Sequence, residues 1–311
     1  MAKLSPMQKA DWIWMDGELI PWDAAQVHVL SHALHYGSAV FEGIRAYATP
    51  QGPAVLELDA HLERLERSCR VVHIPLPFAR EVLHDAVLDT VRRNGHPACY
   101  IRPLAFRGEG PLGVSPLTSA VHVTVATWEW AGAHHAGARE EGIDVCVSSW
   151  RRMAPGTHPA MAKAAGNYLN SQLVLVEAKQ NGFHDGIVLD VNGYVSEGSG
   201  ANLFLELDGR LITPPLGDSI LPGITRGLVM QLARELGLEL VEQRIAREML
   251  TFASEVFLVG TAAEITPVRS VDRIPVGAGE PGPVTRSLQA AFQRAVTGQD
   301  DRGWLTPVGG A

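Results

Sequence analysis

The stretch Ser148–Gln172, SSWRRMAPGTHPAMAKAAGNYLNSQ, carries one lysine, Lys163, out of a strand and loop and into a helix. Lys163 stands among Ala160, Met161, Ala162, Ala164 and Ala165, with no acidic residue close by in sequence. An amine in apolar surroundings loses hydration of its charged form, which lowers its pKa and leaves a neutral nucleophile for Schiff-base chemistry. An ordinary surface lysine near a helix start has the same local sequence.

A second stretch, Gly186–Glu206, GIVLDVNGYVSEGSGANLFLE, reads as a strand, an Asn192-Gly193 turn, a strand, a glycine-rich bend around Glu197 and a further strand. Small neighbours at Ser196, Gly198, Ser199 and Gly200 let a flat ring approach the Glu197 carboxylate. Such a carboxylate keeps a pyridine nitrogen protonated, as pyridoxal phosphate requires, although a plain turn carboxylate has the same sequence.

Both stretches resemble those of the branched-chain amino acid aminotransferases, members of the fold-type IV pyridoxal phosphate enzymes. The resemblance runs from DWIWMDGELI, near Asp11, to GPVTRSLQAAF near the C-terminus. Between them lie SHALHYGSAVFEGIR (Ser31–Arg45), YIRPL (Tyr100–Leu104), AKAAGNY (Ala162–Tyr168), DVNGYVSEGSGANLF, LPGITR (Leu221–Arg226) and GTAAEITPVRSVD (Gly260–Asp272). It implies an α+β fold of two domains: a small N-terminal α/β domain over 1–130, a linker over 131–138, and a larger β-barrel-like, cofactor-binding domain with helices over 139–311.

Composition sets the outer limits. The chain has 311 residues, 46% hydrophobic and 19% charged, enough for two domains with sizeable cores. Its formal charge of -8, from 34 acids and 26 bases, comes without a basic run, which argues against nucleic acid and for small metabolites. The three cysteines, Cys69, Cys99 and Cys146, lie far apart without CxxC spacing, so neither a disulfide framework nor a zinc site is expected and a reducing cytoplasm fits. No signal-peptide pattern and no bilayer-length apolar run is read, and His134-His135 reads as a solvated pair rather than a metal site.

In chain order, residues up to Asp11 read as a frayed terminus and WIWMDGELIPW as a hairpin turning at Asp16-Gly17. Tyr36, Phe41 and Gly43 sit in a small-residue context suited to close approach of backbone to ligand, or to aromatic core packing. A helix from Asp59, with that aspartate as N-cap, buries Leu62, Leu65, Cys69 and Val72. Arg64 lies on its flank with His61, Ser68 and Val71, where a guanidinium reaches an anion or simply snorkels. A second helix, Ala79–Asn94, ends at Gly95. In the strand ACYIRPLAF, Tyr100 and Arg102 share one face, a phenol and guanidinium suited to a carboxylate. The helix after Pro222-Gly223 offers the first amides of Ile224 and Thr225 to a phosphate, or is simply capped there. Thr261, Ala262 and Ala263 offer backbone amides to a phosphate or carboxylate, and the polar tail from about Gly298 reads as loosely held.

The resemblance assigns roles to these residues. Lys163 is the catalytic amine that holds pyridoxal 5′-phosphate; Arg64, Ile224, Thr225 and Thr261 bind its phosphate, Tyr168 its phenolic oxygen and Glu197 its ring nitrogen. Phe41, Gly43, Tyr36, Val114 and Trp130 form the substrate wall, with Tyr36 and the Gly113-Val114 loop reaching over from a second subunit, so that a homodimer is the minimal unit. Arg102 with Tyr100 receives the distal carboxylate of glutamate, and Tyr100 with the Thr261-Ala262 amides the α-carboxylate. The activity so implied is ping-pong transamination of L-leucine, L-isoleucine and L-valine with 2-oxoglutarate. D-amino acid aminotransferase, R-selective amine transaminase and aminodeoxychorismate lyase are further activities of the same fold, and a silent binding protein is the alternative outside it. Two departures stand out: the linker AGAHHAGA lacks the aromatic often found there, which bears on pocket size, and Ala201 replaces a common acidic residue.

Overall fold

The computed structural model describes residues 9–130, 134 and 137–309. Residues 1–8 of the terminus, and 131–133 and 135–136 of the expected linker with His135, lie outside the described residues. The chain divides into two compact units, the first within Met1–Ala131, Ala162–Gly166 and Ala295–Ala311, the second within Gly132–Met161 and Asn167–Arg294. The Lys163 segment and the C-terminal stretch thus belong to the first unit, although the resemblance groups both with the second domain. Both units mix helices with sheet, the α+β class that the sequence implies.

The first unit opens with β1 (Trp12–Met15), β2 (Glu18–Pro21), α1 (His32–Tyr36), β3 (Ala39–Phe41), β4 (Ile44–Thr49) and β5 (Gly52–Leu56). Helices α2 (Leu58–Val71) and α3 (Arg80–Asn94) and strands β6 (Cys99–Arg107) and β7 (Val121–Trp128) follow. The β1–β2 hairpin turns at Asp16 and Gly17 with φ of 50° and 105°, the left-handed pair that a two-residue turn demands. Alternation along β6 sorts its side chains. Cys99, Ile101 and Ala105 join Leu58, Leu62, Leu65, Leu83 and Val87 of α2 and α3 in one core, which leaves Tyr100, Arg102 and Leu104 on the opposite face.

At two places the fold differs from what the sequence suggests. Helix α2 begins at Leu58 behind a left-handed Glu57, whose amide donates to the Trp304 carbonyl at 2.8 Å, so the backbone itself makes the turn from β5 and Asp59 lies in the first turn rather than at the cap. The tail is not loose. Its strand, Leu305–Pro307, pairs antiparallel with β5 and closes that edge of the sheet, while Trp304 and Val308 are buried.

The second unit contains α4 (Ala138–Glu141), β8 (Ile143–Arg151), α5 (Tyr168–Gln180), β9 (Asp185–Leu189), β10 (Val195–Gly198), β11 (Asn202–Leu207), β12 (Arg210–Thr213) and α6 (Ile224–Glu235). After these come β13 (Glu239–Glu242), α7 (Met249–Phe252), β14 (Glu255–Gly260), β15 (Glu264–Val271), β16 (Ile274–Pro275) and α8 (Pro283–Val296). Its sheet is mixed, in the order β10-β9-β8-β15-β14-β11-β12-β13 with β16 on β15. Glu197 lies within β10, opposite Val188, and not in the bend that follows at 199–201. A register shift between Val195 and Glu197 places Ser196 in a bulge, the device that re-aims a strand side chain. Among the described residues no helix is long and apolar enough to cross a membrane.

Truncation of the core side of α2 should unsettle the first unit, whereas its outer face should tolerate change. Leu62→Ala, at a fully buried position, is expected to cost about 2–5 kcal/mol, and Val71→Ala, at an exposed one, no more than about 0.5 kcal/mol. Urea unfolding followed by tryptophan fluorescence measures both.

Candidate active site

The Lys163 segment is tied to the first sheet through its backbone. The Phe41 amide donates to the Lys163 carbonyl at 3.2 Å, the Lys163 amide donates to Ser68 Oγ at 3.0 Å, and Val40 bridges Ala164. Ala162 and Ala164 are buried, so the bland sequence neighbours of the lysine anchor it on either side. Lys163 Nζ then lies 5.1 Å from the centroid of the Phe41 ring.

The same ring meets a guanidinium. The Arg102 guanidinium carbon is 4.7 Å from the Phe41 centroid, 5.4 Å from that of Tyr100 and 5.6 Å from that of Trp128. Tyr100 in turn stacks on Trp128 at 5.0 Å and meets Trp130 at 4.8 Å. Pairing of β6 with β7 sets Tyr100 opposite Trp128 and Arg102 opposite Ala126, which puts the rings on the guanidinium's face of the sheet. No carboxylate pairs with Arg102 among the described residues, and its buried Nε has no hydrogen-bond partner there. Gly43 is required by this cluster, since a Cβ at that position would fall 2.0 Å from the Tyr100 hydroxyl. Trp128 is a member that the sequence reading does not single out, although it stands two residues from Trp130 and so shares its face.

Behind β3, Arg64 of α2 has a partner that the helical wheel does not show. Arg64 Nε and Nη2 donate to the two oxygens of the Glu42 carboxylate at 2.7 and 2.8 Å, and His61 Nδ1 lies 2.7 Å from the second oxygen. All three side chains are buried. Burial alone pushes the Glu42 carboxyl up, but the charge and hydrogen bonds of Arg64, aided by His61, outweigh it and hold the acid far below the usual carboxylate range. Burial also lowers His61, Glu42 opposes that, and the charges of Arg64 and Lys163 lower it further, so the imidazole is biased toward its neutral form. Arg64 is therefore a fixed positive charge held along one edge by Glu42.

The second unit gathers its own set. Glu197 accepts hydrogen bonds from Arg152 Nη2, from Asn202 Nδ2 at 2.9 Å and from the Leu221 amide at 3.1 Å. Arg152 also donates through Nη1 to Asn170 and Ser171, which ties Glu197 to the first turn of α5, where Tyr168 stands. Asn202 donates to the Leu221 carbonyl as well and packs so closely on Gly223 that a Cβ there would meet its Oδ1 at 1.9 Å. Gly223 is the N-cap of α6, so the carboxylate is coupled directly to the helix end whose first residues are Ile224 and the buried Thr225. Gly260, just before Thr261 and Ala262, lies against Gly200 and Ala201 of the bend after Glu197. Tyr168, Glu197, Ile224, Thr225, Thr261 and Ala262 are thus linked within one unit, by way of Arg152 and Asn202, which the sequence reading does not identify.

Tyr36 and Val114 lie at the surface. Tyr36 is 48% exposed and Val114 87% exposed, a large apolar surface for the end of a short helix and a loop. Cys69, Cys99 and Cys146 are free and buried, with burial pushing the first two thiols up to about 12 and the third to about 11, so none is a nucleophile near neutral pH.

An anchored amine and a guanidinium among aromatic rings in the first unit, and a buried carboxylate beside a helix N-terminus in the second, are side chains of the kind that an amine-transferring enzyme uses. The amino-transferase class IV family model matches residues 39–271, and the chain belongs to that family. Within it the chain is 51% identical over 304 residues to the branched-chain-amino-acid aminotransferase of Escherichia coli strain K12, covering 97% of this chain and 98% of that one. A crystal structure of the Escherichia coli branched-chain amino acid aminotransferase superposes with a TM-score of 0.95 at 51% identity, over 97% of this chain and 100% of its own. The branched-chain amino acid aminotransferase of Thermobaculum terrenum, in its PLP-bound holo form, superposes at 0.91 with 36% identity, over 97% and 99% of the two chains.

Removal of the Glu42 charge would leave Arg64 buried without its counter-ion. Glu42→Gln is expected to cost about 3–5 kcal/mol at neutral pH, as broken buried pairs do. Because the folded pKa lies below the unfolded value of about 4.3, this stability is fully present above the ordinary carboxylate range and is lost as pH falls through and below it. Denaturant unfolding of both proteins from pH 7 down to pH 3 should show the difference shrink toward acid.

Proposed function

We propose that this chain transfers the amino group of L-leucine, L-isoleucine or L-valine to 2-oxoglutarate, giving the branched 2-oxo acid and L-glutamate, with pyridoxal 5′-phosphate as cofactor. The observation that carries this reading is the Phe41 ring shared by the Lys163 amine and the Arg102 guanidinium, which has no carboxylate partner among the described residues: a nucleophile and a carboxylate receptor on one apolar surface. The donor set of the second unit fits the cofactor. A buried carboxylate held by three donors suits a proton-bearing ring nitrogen, and a helix N-terminus beside it offers amides to a phosphate.

The residues divide the work. Glu197 would hold the proton on the ring nitrogen, Tyr168 would donate to the phenolic oxygen, and the Ile224 and Thr225 amides with Thr261 and Arg64 would hold the phosphate. Pyridoxal 5′-phosphate, when bound, supplies an electron sink for the pair released as the Cα–H bond of the amino acid breaks. Lys163 Nζ takes that proton from Cα as the general base, a role worth about two to four orders of magnitude in rate. Tyr100 and the Thr261-Ala262 amides would orient the α-carboxylate, while Phe41, Gly43 and Trp130 shape the wall against the side chain. When glutamate is the donor, Arg102 with Tyr100 would receive its distal carboxylate.

The exposed Tyr36 and Val114 would be covered by, and would complete the wall of, a second copy of the chain, so the working unit is a homodimer. Three buried, unpaired thiols suit a reducing cytoplasm. The ring-flanked Arg102 favours a substrate with a carboxylate over a simple amine.

Addition of L-leucine to the purified holoenzyme should shift its visible absorbance toward that of the pyridoxamine form, and 2-oxoglutarate should reverse the shift. Lys163→Ala should abolish the conversion. A shift with D-alanine or an R-amine, but none with L-leucine, would sink the reading.

A further inference from the structure

His32, in α1, is 2% exposed and has no part in the roles given so far. Its Nε2 lies 2.9 Å from the Gly113 carbonyl and its Nδ1 2.7 Å from Ser38 Oγ. A carbonyl only accepts, so Nε2 carries the hydrogen and, in the neutral ring, Nδ1 accepts from the Ser38 hydroxyl. The imidazole also stacks on Tyr36, with centroids 4.5 Å apart and 30° between the planes. One buried ring therefore touches both parts of the exposed apolar wall, Tyr36 by its face and the residue before Val114 by its edge.

The 108–120 loop is anchored at its base. The Gly108 amide donates to the Ala120 carbonyl, the His32 amide donates to the Gly108 carbonyl, and Arg107 Nη1 donates to the Ser119 carbonyl. Toward the tip, Leu112, Val114 and Leu117 are exposed, and the His32 bond to Gly113 is the side-chain contact that reaches it. A loop tip with few buried contacts opens readily unless such a bond holds it.

We infer that His32 is a positioning residue that sets the spacing of Tyr36 and Val114, and through them the fit of an aliphatic side chain. This rests on the proposed function insofar as Tyr36 and Val114 form the substrate wall. His32 touches neither substrate nor cofactor, so its loss acts on binding and not on the proton transfer at Lys163.

Two substitutions separate the ends of the ring: His32→Gln keeps a donor near the position of Nε2, and His32→Asn keeps only a group near Nδ1. In the holoenzyme, His32→Asn should speed hydrogen exchange of the Gly110, Leu112, Gly113, Val114 and Ser115 amides and raise KM for L-leucine by roughly three- to tenfold, the factor of one net hydrogen bond. kcat should stay within about twofold, since the interaction is the same in ground and transition states. His32→Gln should restore both toward wild type, and Ser38→Ala, a milder change that frees the tautomer, should move both in the direction of His32→Asn. Unchanged exchange and KM in His32→Asn and Ser38→Ala, or a fall in kcat at constant KM, overturns the inference. Should wild type fail to convert L-leucine, the proposed function falls, while loop exchange in the same variants still decides whether His32 holds the loop.

Discussion

The backbone bond from the Phe41 amide to the Lys163 carbonyl is the constraint on which the chemistry of the first unit depends. It joins a segment of five residues, Ala162–Gly166, to a sheet whose other strands come from the first 128 residues and the last few. Side-chain amines are flexible, with about 2 kcal/mol of rotamer entropy, so a lysine on a free loop is poorly placed for catalysis. Here Ser68 fixes the lysine amide, Phe41 fixes its carbonyl, and the bridge to Ala164 fixes the next residue. The four-carbon stem then carries the amine to 5.1 Å from the centroid of the Phe41 ring.

Behind that strap lies the second constraint, the carboxylate of Glu42. A guanidinium buried as Arg64 is costs much in a low dielectric unless an anion meets it. Glu42 compensates it by a two-point hydrogen bond that also fixes the plane of the guanidinium. Glu197 is held in the opposite sense, by donors from Arg152, Asn202 and the Leu221 amide. Each of these two side chains is thus held by partners distant in sequence.

Those partners are what a linear reading does not reveal. Period two along β6 suffices to put Tyr100 beside Arg102, the helical wheel places His61, Arg64 and Ser68 on one flank of α2, and Pro222-Gly223 marks the start of α6, because each is a local rule. The Glu42–Arg64 pair joins residues 22 apart and the Arg152–Glu197 pair residues 45 apart, and no local periodicity relates them. The strand position of Glu197 is hidden for a different reason: a glycine-rich sequence reads as a bend, whereas neighbouring β9 supplies the ladder that keeps it extended. The tail reads as loose because its polar residues mask Trp304 and Val308, whose burial follows from an open edge on β5 that only the folded sheet displays.

Under the proposed function, the arrangement around Arg102 bears on how one pocket would take both leucine and glutamate. A guanidinium laid flat against rings is weakly hydrated on its faces and strongly polar along its edge. Phe41, Tyr100 and Trp128 lie with their ring centroids 4.7, 5.4 and 5.6 Å from the guanidinium carbon, so an aliphatic side chain approaching from their side would meet carbon and not a hydrated ion. A carboxylate reaching the edge instead finds donors with no competing acid among the described residues. A lysine in this place would offer a strongly hydrated point charge, which an apolar side chain would have to strip of water. The dual preference can therefore arise from the anisotropy of one side chain held by aromatic neighbours, with no movement of the pocket between the two half-reactions.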